Sequence, residues 1–148
     1  ARVVAIAGRE RARTDTVARE LAAQLGHPVA VADGPAALAG MVEALIVGAP
    51  VPGHLAGLDA ALSTGIPCLC EKPLVAAAEL ELGIDRIERF RARGLLLVEN
   101  CQWPFVLPVL RALHPERGSG PVRRLTMGLG PRWPGPAMVV DSLSHVLS

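Results

Sequence analysis

The chain has 148 residues, enough for one domain with a proper core or pieces of two. Apolar residues make up 51% and the net charge is +1, which excludes a disordered tail and leaves no electrostatic case for a DNA or membrane partner. No apolar run approaches the ~18 residues of a spanning helix, and two Trp, two Phe and no Tyr offer little for single-stranded bases to stack on.

An apolar strand is predicted over residues 2–7, ending at Gly8-Arg9-Glu10. A helix follows from Thr14 or Asp15, both suited to an N-cap, to Leu25; Gly26 closes it, and Val17, Leu21 and Leu25 form its apolar stripe. Residues 28–32 read as a short strand, 35–39 as a helical turn and 44–48 as a buried strand. Pro52 sits near the first turn of a helix with the stripe Leu55, Leu58 and Leu62, ending at Gly65. Residues 66–70 form the next strand. Residues 76–93 read as a long amphipathic helix with Leu80, Ile84 and Ile87 inward and Asp85–Arg89 as an outward pair. Residues 95–99 are another apolar strand.

Continuous apolar strands alternating with amphipathic helices imply an α/β fold, a doubly wound parallel sheet covered on both faces. That pattern holds to about residue 100. Beyond it, residues 104–114 look helical, 115–121 form a Pro/Gly turn or linker, 122–129 alternate loosely as a strand, and 137–148 are helical.

Lys72 stands out chemically. It is the only lysine among 15 basic residues, and Pro73 stops the strand that leads into it. An ammonium is a compact charge whose proton can move, unlike a guanidinium. The carboxyl end of a strand is where open α/β sheets bind ligands. The competing reading is an exposed loop lysine beside Glu71, worth little to stability. Asp141 and His145 lie four apart on one helical face, a spacing that suits a carboxylate-oriented general base or a plain surface pair. The segment 47–54 has two glycines at phosphate-loop spacing, but His54 stands where that loop needs Lys, so it reads as a tight turn near a ligand. His54 by itself fits a helix-start histidine bonded to local backbone. His27 and His114, each followed by Pro, read as turn residues. Cys68 and Cys70 share one side of a strand without a second metal-ligand pair, so they read as small buried apolar residues and no metal site is expected. Three cysteines show no disulfide framework and fit a reducing, cytoplasmic compartment. Gly-x-Gly-x-x-Gly is absent from the chain.

In order along the chain, Ala49-Pro50 with His54, then Ala61-Leu62-Ser63-Thr64-Gly65, then Glu71-Lys72-Pro73 resemble the pattern of the Gfo/Idh/MocA oxidoreductases, the family of glucose–fructose oxidoreductase and inositol dehydrogenase. Asn100-Cys101-Gln102-Trp103 resembles the family's Asn-x-Arg-aromatic segment, and Asp141 to His145 its Asp-x-x-x-His motif. The resemblance implies that residues 1–100 are a Rossmann-type dinucleotide-binding domain without its first strand and glycine turn. It implies that residues 101–148 begin an α+β substrate domain. It further implies NADP or NAD as cofactor and hydride transfer at a carbinol carbon of a sugar, cyclitol or similar small molecule. Lys72, Asp141 and His145 would be catalytic; Gly8, Arg9, Ala49, Pro50, His54, Glu71, Lys72, Pro73 and Asn100 would line the cofactor site.

Three departures qualify that implication. Ala49 replaces the usual Thr and Gln102 the usual Arg, while Gly8-Arg9 stand where NAD-preferring relatives carry an acid. The last favours NADP, with room for a 2′-phosphate.

In the strand order 3-2-1-4-5-6 the first strand is central. Without it, the strand over residues 2–7 and the strand over 44–48 are expected to part, leaving two edges without ladder partners, and the chain alone is expected to bind NADP poorly and to associate. Both ends read as incomplete, so a fragment of a full-length homo-oligomer is expected. The competing reading is a non-catalytic Rossmann-like module that binds a ligand or partner.

Overall fold

A computed structural model describes residues 2–101 and 103–115. The chain divides into two units, Ala1–Glu99 and Asn100–Ser148. The predicted strand over 122–129 and helix over 137–148, with Asp141 and His145, lie outside the described residues, as does Gln102.

The first unit runs β1 (Ala5–Ala7), α1 (Arg11–Leu25), β2 (Ala30–Ala32), α2 (Pro35–Ala39), β3 (Leu45–Val47), α3 (His54–Thr64), β4 (Cys68–Glu71), α4 (Leu80–Ala92) and β5 (Leu97–Asn100), whose last residue opens the second unit. The second unit's described helix is α5 (Trp103–Leu113), with Pro108 inside it. This is the expected α/β alternation. β1 and β2 pair in parallel with Ala5 opposite Ala30, and β3 and β4 in parallel with Leu45 opposite Cys68. β5 joins the far side of β4, where the Cys68 N–H donates to the Leu96 carbonyl at 2.9 Å.

The strands form two sheets, β1–β2 and β3–β4–β5, so β1 and β3 share no ladder. That is the break expected where a central strand is lacking. α2 bridges the halves, packing on β1 and β2 and, more extensively, on α3.

The core lies around α3 and the three-stranded sheet. Leu45 and Val47 of β3, Leu58, Ala61 and Leu62 of α3, Cys68 and Cys70 of β4 and Phe90 of α4 form one buried cluster. Each fully buried Leu or Phe stabilises by roughly 1.5–3 kcal/mol. Gly57 lets α3 sit tight on the sheet: a Cβ there would lie 2.5 Å from Val47 Cγ2. Gly65, at φ 73°, ends α3 in the left-handed region as its sequence position predicts. Arg93 donates to the Leu62 carbonyl, and Arg86 grips Asp59 through Nε and Nη2 at 2.9 and 3.2 Å, tying α4 to α3.

Four expectations need correction. α1 begins a turn earlier than predicted; Thr14 is inside it, its hydroxyl donating to the Glu10 carbonyl at 2.8 Å. Its buried residues are Thr14 and Ala18, while Val17 and Leu25 are exposed, because a two-stranded sheet presents a narrow surface to cover. On α4, Leu80, Ile84 and Ile87 are all exposed, and Gly83 and Phe90 face inward. Val75 fixes that rotation by filling the space a Cβ on Gly83 would need, 2.6 Å from its Cγ2. Finally, Ile46 is 69% exposed, so at β3 only one face of the sheet is covered among the described residues.

Candidate functional site

The predicted site residues of the first unit sit after the carboxyl ends of its strands. Gly8 and Arg9 follow β1, Ala49 and Pro50 follow β3, Glu71 ends β4, and Lys72 and Pro73 come directly after it. Pro73 ends the strand as its fixed φ and missing N–H require. The Lys72–Pro73 peptide is cis. Glu71 and Lys72 are half-buried, and both take part in polar contacts. Asn100 is exposed and polar-bonded at the end of β5.

His54 joins two of these turns. It opens α3, is 1% exposed, and places Nε2 2.7 Å from the Ala49 carbonyl and Nδ1 3.0 Å from the Pro73 carbonyl. A neutral ring has a single N–H and donates to one of them; an imidazolium donates to both. An imidazolium bonds both turns; a neutral ring bonds one and packs against the other, and in both cases each nitrogen of the buried ring faces a backbone carbonyl rather than a ligand. Glu99 holds the same loop from the other side, its Oε1 accepting the Leu74 N–H at 3.2 Å. Lys72 therefore stands one residue before a backbone pinned at Pro73 and Leu74. The bond to Ala49 is local, as the helix-start reading of His54 allows. The bond to Pro73, 19 residues on, has no signal in the local sequence pattern; nor has the Glu99 contact.

Cys68 and Cys70 lie under this loop. Burial pushes the Cys68 thiol up to about 11. Burial first, then the charges of Cys68, Glu99 and Glu71, pushes Cys70 up to about 12. Thiols held so far above neutrality stay protonated and serve as packing. Among the described residues no group of three His, Cys, Asp or Glu side chains is placed to hold a metal.

A cleft of about 310 Å³ opens at the carboxyl ends of β1 and β2, lined by Gly8, Arg9, Arg11, Thr14, Asp33 and Gly34 among others. Two guanidinium-bearing residues and backbone turns at strand ends fit the adenosine end of a dinucleotide in size and charge. Gly8 has a packing reason of its own: a Cβ there would lie 2.4 Å from Thr14 Oγ1, so a side chain at this position requires the Thr14 hydroxyl to move. Arg11 was absent from the sequence-derived set. Its guanidinium is fastened by Asp15 and Asp33, and its pKa is raised, chiefly through the hydrogen bond to Asp15. A larger apolar hollow of about 500 Å³, lined by Leu74, Ile87, Phe90, Leu95, Leu97 and Glu99 among others, contains none of the predicted site residues.

No protein-family model matches the chain. An inositol 2-dehydrogenase from Streptomyces avermitilis is 35% identical over 100 residues, covering 66% of this chain and 28% of that protein. A solved structure of a 3-ketoreductase from Actinomadura kijaniata, in complex with NADP and TDP-benzene, is 30% identical with a TM-score of 0.57, over 76% of this chain and 34% of that one. A solved UDP-N-acetylglucosamine 3-dehydrogenase from Acidithiobacillus ferrooxidans is 25% identical with a TM-score of 0.58, over 79% of this chain and 35% of that one. The chain thus spans 28% of the curated relative's length and about a third of the solved structures.

Proposed function

With a chain of the Gfo/Idh/MocA type as the premise, we propose that residues 2–99 are the nucleotide-binding part of an NADP-dependent, or NAD-dependent, oxidoreductase. Its substrate is a small molecule with a carbinol carbon, a sugar, cyclitol or similar compound. The observation that carries this reading is the His54 brace: it fixes the Ala49-Pro50 turn and the Lys72-Pro73 turn to each other, so the amine is presented from a rigid backbone at the end of β4. Rigid presentation is what converts a charged side chain into a catalytic one.

In the oxidation direction, Lys72 Nζ donates a hydrogen bond to the substrate oxygen and stabilises the negative charge that grows on it. His145 takes the hydroxyl proton and Asp141 orients the ring or the substrate; both assignments rest on the resemblance. The nicotinamide, when bound, supplies the hydride acceptor. Arg9, Gly8 and the cleft beside them hold the adenosine end, and Ala49, Pro50, Glu71, Pro73 and Asn100 border the nicotinamide end. No described helix is long and apolar enough to cross a membrane. The reading keeps the enzyme cytoplasmic and its complete form a homo-oligomer.

The test is a panel of inositols, sugars and nucleotide sugars offered to the complete gene product with NADP and with NAD. Turnover on a polyol, falling ~10²–10³-fold in Lys72→Met, is the expected result. Turnover indifferent to Lys72→Met would remove the mechanism. A second reading, a non-catalytic module of the same fold, draws on the unjoined edges of β1 and β3. It predicts ligand binding without turnover on any member of the panel.

A further inference from the structure

Pro73 and Leu74 share one peptide group, and both of its polar ends meet side chains from other elements. Its carbonyl faces His54 Nδ1, from the start of α3, at 3.0 Å; its N–H, which belongs to Leu74, donates to Glu99 Oε1, from β5, at 3.2 Å. A planar peptide met at both ends cannot turn without losing both contacts. The same peptide lies next to Lys72. The ring of Pro73 locks φ and the Lys72–Pro73 peptide is planar, so one soft dihedral, ψ of Pro73, separates the held peptide from the Cα of Lys72. Pro73 has no N–H, so Leu74 carries the first backbone donor after the lysine. Glu99 is exposed, and water can replace it as an acceptor, so its bond adds little to stability. What water does not supply is a fixed direction.

We propose that Glu99 is a positioning residue for the reaction: by holding the N–H end of the Pro73–Leu74 peptide, it sets the direction in which Lys72 presents its amine. The proposal rests on the reading of Lys72 as the group that donates to the substrate oxygen. Glu99 needs no contact with substrate or cofactor, because it acts through the backbone beside Lys72. It also works with His54 on one group. An N–H given to a carboxylate polarises the peptide and makes its carbonyl a better acceptor for the imidazole. The role requires an acceptor at the right reach and does not require a negative charge. Gln, with a carbonyl oxygen on the same length of side chain, can fill it. Asp, one methylene shorter, and Ala, with no acceptor, cannot.

The experiment uses the complete gene product with whichever of NADP and NAD it prefers and the polyol of the panel that it oxidises fastest. It reads the single-turnover rate of cofactor reduction and the steady-state KM of each reactant. Glu99→Ala and Glu99→Asp are each expected to lower the rate about tenfold with both KM values within about twofold of native, and Glu99→Gln to bring it back to within about threefold. In a Lys72→Met background Glu99→Ala is expected to cost nothing further, because the group that it directs is gone. A native rate in Glu99→Ala, or loss of the same factor in the Lys72→Met background, overturns the proposal while leaving the role of Lys72 standing. So does a Gln variant as slow as Ala beside an Asp variant as fast as native, since charge and not reach would then be the cause. If Glu99→Ala does not fold, Glu99→Asp takes its place in both backgrounds. A rate indifferent to Lys72→Met, or no turnover on any polyol, overturns the reading of the amine and this proposal with it.

Discussion

Replacing His54 by Phe keeps the ring's bulk and removes both nitrogens. In the native chain Nε2 faces the Ala49 carbonyl at 2.7 Å and Nδ1 faces the Pro73 carbonyl at 3.0 Å, on a side chain 1% exposed. A neutral ring donates to one of the two carbonyls, so the variant loses one hydrogen bond worth about 1 kcal/mol, and a carbonyl left without a donor costs about 1–2 kcal/mol more if water cannot reach it. Ala49 is an exposed residue, so its carbonyl can be solvated; Pro73 is half-buried and carries most of the penalty. The sum is about 2–3 kcal/mol, which for a chain of this size is a fall in Tm of about 5–10 °C. Far-UV circular dichroism of the 148-residue chain on heating measures it. The complete gene product adds a second readout. If the brace positions Lys72, His54→Phe lowers kcat by ~10-fold or more even at temperatures where the protein is fully folded, because small displacements of a catalytic group are costly. A Phe variant that melts within about 1 °C of the native chain would refute the reasoning, since a ring that merely fills space loses nothing by losing its nitrogens.

Three further outcomes follow from the packing and the buried thiols. Gly57→Ala puts a methyl 2.5 Å from Val47 Cγ2 and should cost about 1–3 kcal/mol in urea unfolding despite the better helix propensity of Ala. Phe90→Ala should cost about 3–5 kcal/mol, whereas Leu80→Ala, at a side chain 57% exposed, should change stability by less than about 0.5 kcal/mol; equal losses would mean that α4 is rotated. Cys68 and Cys70 are raised in the folded chain to about 11 and about 12 from a value of 9.0. Below pH 9 both states keep these protons and stability is indifferent to them. Above pH 9 the unfolded chain releases protons that the folded chain retains, so stability falls by about 1.4 kcal/mol per pH unit per thiol until the folded thiols ionise. Denaturant melts from pH 8 to 10.5 should show that slope, reduced by about half in Cys70→Ala.

Much of the first unit is legible in the sequence. The order of strands and helices follows from apolar runs and helical spacing, and the end of α3 follows from Gly65, whose left-handed backbone only glycine adopts freely. The position of Lys72 follows from Pro73, which ends β4 whatever surrounds it. These are local properties, and sequence specifies them directly. The parting of the two sheets was expected instead from the family resemblance, whose strand order sets a further strand between β1 and β3.

Tertiary structure decided the rest. α4 carries several apolar positions, and spacing alone does not choose between the rotation that buries Leu80, Ile84 and Ile87 and the one that buries Gly83 and Phe90; Val75 chooses by occupying the space above Gly83. Polar contacts across 19, 22 and 27 residues, His54 to Pro73, Arg11 to Asp33 and Arg86 to Asp59, obey no periodicity, so each exists only once folding has brought its partners together. The chain's own pattern placed an amine at a strand end. What holds the loop around that amine still is an imidazole and a carboxylate supplied by other elements of the fold.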